Sequence, residues 1–279
     1  MNTLPSETIC KILSWLSPEE LQVQRLVSKY FIGVIRRKSM NMLKFGITRG
    51  VVEFCEIGLL RGGTPDSRAC ATAAKHGHIR ILEWLRARGC SWNEVTCAWA
   101  AKRGHLETLQ WARANGCPWD DSTTTMAAKH GYFKVLKWAK ANGCPWNGRV
   151  CSEAASRGRW DIIGWARELG CPWDVRTCSE AAKGGHFELL RWLRESGCPW
   201  NAITCACAAQ SGDIEMLEWV RSQGCPWNDW TCKFAATRGH LHVVRWALQH
   251  GCPWDVSTAN PARYPQHIAE YLLELQSRG

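Results

Sequence analysis

The amino-acid sequence predicts an all-α fold, a solenoid of helix-turn-helix repeats, and three observations carry that reading. The dipeptide Gly-Cys recurs at Gly89, Gly116, Gly143, Gly170, Gly197, Gly224 and Gly251, seven copies spaced by 27 residues without insertion or deletion. A fixed period of this size is the signature of stacked supersecondary units. The chain carries 18 Trp against only 4 Tyr and 6 Phe. Fourteen of those Trp fall in two columns of the same period, Trp84, Trp111, Trp138, Trp165, Trp192, Trp219, Trp246 and Trp92, Trp119, Trp146, Trp173, Trp200, Trp227, Trp254. Paired alanines repeat in step, as Ala100-Ala101, Ala127-Ala128, Ala154-Ala155, Ala181-Ala182, Ala208-Ala209 and Ala235-Ala236. They leave only methyl groups on one helix, so that neighbours can approach closely.

Taken in chain order, residues 1–40 lie outside the period. Ile9, Ile12, Leu13 and Leu16 make one helical stripe, and Ser17-Pro18-Glu19-Glu20 is a capping box with Pro in the first turn of the next helix. Three short helices are expected there, too few to bury a core alone. Gly62-Gly63-Thr64-Pro65-Asp66 then holds the place of Gly89 to Asn93, so a degenerate repeat starts near Asn41 and residues 41–279 form the array. Within the unit Asp120 to Trp146, Asp120 accepts backbone N–H bonds and starts a first helix through Ala127-Ala128, which Gly131 ends. The second helix runs from about Phe133 to Ala141, with Val135, Leu136, Trp138 and Ala139 on one arc. Gly143 stops it and Pro145 prevents continuation. Such a hairpin cannot bury its arc alone, and stacking about eight of them gives the solenoid. Pro261 to Leu275 keeps a helical pattern without the signature, as a closing cap would.

The unit is similar to the ankyrin repeat: Ala-Ala-Lys-Arg-Gly-His-Leu-Glu (residues 100–107) is followed by Gly-Cys-Pro-Trp-Asp (residues 116–120). The match covers roughly residues 41–275. It departs in length, since the ordinary ankyrin unit has about 33 residues. The shortfall falls between the closing Asp or Asn and the next first helix, so the resemblance implies β-hairpin fingers that are absent or shortened. Short units with Cys-Pro-Trp at this place resemble the divergent arrays of giant DNA viruses of amoebae. Residues 1–40, with Leu4-Pro5-x-Glu7 and Val27-Ser28-Lys29-x-Phe31, resemble an F-box. That resemblance implies docking onto a Skp-type linker of a cullin-RING ubiquitin ligase through Leu4, Pro5, Ile9, Ile12, Leu13, Leu16, Leu21, Val27 and Phe31. The Trp that ends many F-boxes is missing near Arg37 to Met40, and a helical cap on the array is the plain alternative.

Composition bounds the function further. With 279 residues, 46% hydrophobic and 22% charged, the chain is of the globular class. No apolar run reaches the roughly 18 to 20 residues of a membrane span, and Met1 to Cys10 lacks a secretory pattern. An intracellular, cytoplasmic location (host cytoplasm for a viral protein) with reduced thiols is expected, the nucleus being left open as the second choice. The 16 Cys suggest zinc. However, Cys90 and Cys97, Cys144 and Cys151, or Cys171 and Cys178 are seven apart rather than two to four, and no His column completes a ligand set. The alternative is small buried packing residues, which Thr124 in a Cys position supports. His78, His105, His186 and His240 share a column with Tyr132, Arg159 and Asp213, a substitution pattern a general base would not tolerate. Catalytic residues, metal and cofactor are all read as none.

The net charge of +10 allows an acidic protein or a nucleic acid as partner. Arg86, Arg113, Lys140, Arg167, Arg194 and Arg221 repeat beside the Trp columns, which reads as base-stacking platforms or as a structural Arg–Trp ladder, and the ladder is preferred. Identical columns serve identical interfaces; recognition belongs to columns that vary. Those flanking the alanine pairs vary, and Lys75, His76, Trp99, Lys102, Arg103, Met126, Lys129, His130, Glu153 and Arg157 form the expected target surface, bordering the concave face in ankyrin-like stacks. It suits an acidic patch. The expected function is a noncatalytic adaptor that recruits a target protein to a ubiquitin ligase, with viral redirection of host ubiquitination as the setting. A plain scaffold or competitive binder is the alternative, and nucleic-acid binding is disfavoured.

Overall fold

The computed structural model describes residues 42–60 and 62–278. The described residues form seventeen α-helices and no strand. The chain divides into two compact units between Thr64 and Pro65. In the first, α1 (Met42–Arg49) packs on α2 (Val52–Leu60). Their contact is backbone on backbone, because a Cβ on Gly46 would lie 2.6 Å from the Cys55 nitrogen. Phe45 and Phe54 close one edge, ring centroids 5.3 Å apart.

The second unit is a run of helical hairpins. They are α3 (Ser67–Lys75) with α4 (Ile79–Ala87), α5 (Glu94–Lys102) with α6 (Leu106–Ala114), and α7 (Asp121–His130) with α8 (Phe133–Ala141). Next come α9 (Arg149–Ala155) with α10 (Trp160–Glu168), α11 (Val175–Lys183) with α12 (Phe187–Glu195), α13 (Ala202–Ser211) with α14 (Ile214–Ser222), and α15 (Asp229–Thr237) with α16 (Leu241–Gln249). The helix bounds expected for the unit at Asp120 hold. The Asp120 carboxylate accepts from the Ser122 N–H at 3.0 Å, and Gly131 ends α7 in the left-handed conformation at φ 75°. Cys-Pro-Trp-Asx leads straight from one hairpin to the next first helix, so the finger is absent.

The two helices of a hairpin pack differently on their neighbours. Successive first helices touch directly across the alanine pairs, which are fully buried. The second helices are bridged by large side chains instead. Trp92 meets Trp111 edge-on at 5.9 Å, and the same pair recurs between each loop Trp and the next second helix, out to Trp227 and Trp246 at 6.2 Å. Arg113 lies over the Trp119 ring at 4.2 Å and donates to the Cys117 carbonyl. Arg86, Lys140, Arg167, Arg194 and Arg221 lie 4.1 to 4.5 Å over their own loop Trp. Each aromatic pair adds about 0.5–1.5 kcal/mol beyond its buried area and each cation–π contact about 0.5–1 kcal/mol. Repetition makes the sum large.

Cysteine closes each hairpin on itself. The Cys117 thiol donates to the Asn93 carbonyl at 3.6 Å, and the bond recurs 24 residues apart from Cys90–Asp66 at 3.2 Å to Cys252–Asn228 at 3.4 Å. A second thiol, on the first helix, sits beside it, with 3.7 Å between the Cys70 and Cys90 sulfurs. In the one unit without that helix thiol, the Thr124 hydroxyl reaches the Pro145 carbonyl at 3.0 Å. Histidine ties hairpin to hairpin: His105 meets the Lys75 carbonyl at 3.1 Å, His186 that of Ser156 at 3.3 Å and His240 that of Gln210 at 3.1 Å. Asp213 breaks the column and instead caps α14 through the Met216 N–H at 2.9 Å.

A column of threonines is less well served. Thr96, Thr123, Thr177, Thr204 and Thr231 bury their hydroxyls without a hydrogen-bond partner, whereas Val150 fills the same column in another unit. A buried hydroxyl without a partner costs about 1–3 kcal/mol. Thr177→Val is therefore expected to raise stability by about 1 kcal/mol, read as a higher urea midpoint at unchanged slope. At the C-terminal end the expected cap is shorter than its sequence pattern. Pro261–Arg263 is a separate 3-10 turn and α17 (Gln266–Arg278) starts after Pro265. Ile268 and Leu272 are its buried anchors.

Candidate partner-binding face

Each first helix buries two of its sides, against its own second helix and against its neighbours, and leaves one side open. On α7 the buried run Thr123, Thr124, Thr125, Ala127 and Ala128 leaves Ser122, Met126, Lys129 and His130 outward. These open positions vary from unit to unit. All ten residues expected at the target surface lie on this side, partly or fully exposed, because the alanine pair between them sets the buried side.

Their geometry makes one field. Lys75 and Lys102 both lie over the Trp99 ring, with Nζ at 4.9 and 5.8 Å from its centroid. Burial first, then Lys102, Lys129, Arg157 and Arg103, hold the His130 imidazole below its ordinary pKa. Burial, Lys75 and Arg103, with His78 and His105, do the same to His76. Those cations come from successive units, so positive side chains follow one another along the stack from Lys75 to Arg157. Glu153 interrupts this run, paired with Lys129 at 3.0 Å. An acidic ligand would offset the part of that depression that the cations cause, burial being the larger part. Binding that raises the lowered pKa takes up protons and is expected to strengthen as pH falls toward the depressed value of the free protein. Calorimetry in buffers of different ionisation enthalpy measures that uptake.

The sequence reading missed one column. One turn before the residues flanking the alanines, the open side carries Arg68, Val95, Ser122, Arg149, Arg176, Ile203 and Trp230. It includes two of the most exposed large apolar residues of the first helices, Ile203 at 42% and Trp230 at 48%. Trp230 stacks on Phe234 with centroids 5.7 Å apart. The helical spacing i, i+4 to Trp99 or Phe234 was the signal that could have found this column.

The thiols have no exposed chemistry. Every described cysteine is a free, buried thiol. Burial pushes Cys70 and Cys144 up to about 12, and in the coupled pairs the helix thiols Cys97, Cys151, Cys178, Cys205 and Cys232 are raised by the hydrogen bond to their Gly-Cys partner and by burial. These raised thiols are protonated at neutral pH and act as packing groups and donors, while the same hydrogen bond lowers their partners Cys117, Cys171, Cys198, Cys225 and Cys252. Among the described residues no group of three or more His, Cys, Asp or Glu comes together as a metal site. Leu4, Pro5, Ile9, Ile12, Leu13, Leu16, Leu21, Val27 and Phe31 lie outside the described residues.

Residues 97–139 and 178–221 match the family model described as ankyrin repeats in many copies. These segments are ankyrin repeats. They span α5 to α8 and α11 to α14, and the hairpins from Ser67 to Gln249 between and beyond them keep the same period, with α9 shorter at both ends. The crystal structure of the human ASB11 ankyrin repeat domain is similar to this chain, at 17% identity over 56% of this chain and 84% of that one, with a TM-score of 0.45. No curated protein matches in sequence. Ankyrin repeats are scaffolds for protein–protein interaction, and no described helix is long and apolar enough to cross a membrane.

Proposed function

We propose that this chain is a noncatalytic adaptor: residues 1–40 dock a Skp-type linker of a cullin-RING ubiquitin ligase, and the array from residue 41 onward recruits a target protein with an acidic patch. The observation that carries the target half is the open side of the first helices. It varies between units, and from Lys75 to Arg157 it is predominantly positive, with Glu153 paired to Lys129 as the acidic exception. Electrostatic complementarity of that kind steers an acidic partner and fixes its register. The ligase half rests on Leu4-Pro5, the Ile9–Leu16 stripe and Val27-Ser28-x-x-Phe31. Redirection of host ubiquitination by a viral protein is the setting that the short Cys-Pro-Trp units favour.

The test is a pull-down of the full chain with a eukaryotic Skp-type linker, wild type against Leu13→Asp/Leu16→Asp. Capture by the wild type that the double substitution abolishes supports the adaptor. Absence of capture by the wild type removes the ligase link and leaves a scaffold or competitive binder. A stack read as a nucleic-acid binder instead would lose affinity steeply with salt.

A further inference from the structure

The open side of the first helices has a second, chemically different part. Of the four Trp outside the two repeat columns, Trp99, Trp160 and Trp230 are described. Trp160 belongs to a column that is apolar in every unit, with Phe133 and Phe187, and packs on Trp192 at 5.6 Å. Trp99 and Trp230 stand in columns that vary, so the repeat does not place them. Both are on the open side, at opposite ends of it. Trp99 carries lysines on its ring, whereas Trp230 stacks on Phe234 and shares its column with Ile203, nearly half exposed. The polar neighbours there are Gln210 and Thr237. On α15 the charges beside this ledge are Asp229 and Lys233, which pair with each other, and Arg238 follows the helix in the column of Arg103 and Arg157.

We propose that Ile203, Trp230 and Phe234 form an apolar anchor site for the same extended, acidic segment whose carboxylates occupy the basic half, so that the partner is bipartite. The inference rests on the reading of the basic half as a target site. First helices packed side by side lie about 8–10 Å apart, which puts α15 roughly 25–30 Å from α9. An extended chain covers that distance in about eight or nine residues at about 3.3 Å each. The partner therefore carries an acidic run and, eight or nine residues away, a large aliphatic or aromatic side chain. Aromatic ledges of this sort are where binding energy concentrates, while the charged half sets orientation and rate. A second copy of this chain is a poor occupant, since its net charge of +10 would meet a positive face. Nucleic acid is a poor one too, because the Trp99 ring that a base would stack on is covered by Lys75 and Lys102.

The test uses a display library of random peptides of about 16 residues, long enough for the span, selected on the full chain. Three baits are compared: wild type, Trp230→Ser/Phe234→Ser, and Arg103→Glu/Arg157→Glu. All four positions are at least partly exposed, and circular dichroism checks that each bait is folded. The wild type is expected to enrich peptides with an acidic run and an apolar anchor at the stated spacing. The ledge variant should keep the acidic run, lose the anchor, and bind the wild-type winners about tenfold more weakly, a loss of about 1.4 kcal/mol. Acidic peptides without an anchor, equally bound by wild type and ledge variant, would overturn this inference and leave the basic target site standing. Winners without acidic residues, unaffected by charge reversal, would sink the basic site itself. Sedimentation showing a wild-type dimer that Trp230→Ser/Phe234→Ser converts to monomer would give the ledge to a second copy. Displacement of the winners by single-stranded DNA would give the face to nucleic acid.

Discussion

Leu190→Ala is expected to cost about 3 kcal/mol of stability, within the 2–5 kcal/mol range of buried Leu truncations. Leu190 on α12 is fully buried, in the interior of a hairpin whose neighbours on both sides repeat the same core. Its removal takes away transfer energy and leaves a cavity that fixed flanking units cannot collapse. In a stack where each unit contacts only its neighbours, a weakened central unit also uncouples the two ends. The urea transition, followed by Trp fluorescence, should move to a lower midpoint and become shallower. Leu273→Ala, at a side chain 56% exposed, is the control, and its transition should stay within about 0.5 kcal/mol of wild type. An unchanged slope for Leu190→Ala would show that the stack unfolds as one body.

Gly212→Ala is the second large effect, because two independent costs meet at one residue. Gly212 has φ +82°, and a Cβ there would sit 2.7 Å from the His240 ring. The ring cannot swing away without giving up its bond to the Gln210 carbonyl at 3.1 Å. The left-handed backbone costs an L-residue about 1–2 kcal/mol, and forcing the ring aside adds about 1–3 kcal/mol. Gly224→Ala separates the two terms: its φ is +77° but nothing lies within 4 Å of the added Cβ, so only the backbone cost applies. In a His240→Ala background, Gly212→Ala should fall to the Gly224 value. A double-mutant cycle by urea unfolding that shows no coupling would remove the steric part of this account.

These two glycines mark how far a sequence can be read. The helix ends around them are local events: Gly after the last helical residue, Pro beyond it, and Asp or Asn before the next helix. Those signals placed α7 and α8 almost residue for residue. The alanine pairs and Trp columns likewise announced which sides face neighbours, because a residue type repeated every 27 positions serves an interface repeated every unit. What distinguishes Gly212 from Gly224, by contrast, is a histidine in the following hairpin, and no spacing within one unit reveals it.

The open side shows the same limit. Lys75, Trp99, Lys102 and Lys129 were legible as variable positions beside the constant alanine pair, but Trp230 and Ile203 lie one helical turn earlier, just before the Thr-Cys pair, and only the folded helix puts them on the same side. Cysteine was legible as a buried packing residue. Its thiol's bond to a carbonyl 24 residues back was not, since it closes the hairpin through space.

Sequence by itself determined the unit, its length, its two helices and their caps, and the loss of the finger, because each depends on residues within a few positions of one another. The tertiary structure decided which hairpin meets which atom of the next: the His–carbonyl ties, the Trp edges between second helices, the direct contact of first helices and the basic and apolar halves of the open side. The physical reason is that local conformation follows from the few residues that form each turn, whereas contact between hairpins depends on the offset at which two stacked units settle, and that offset is set by the packing of all their buried side chains together.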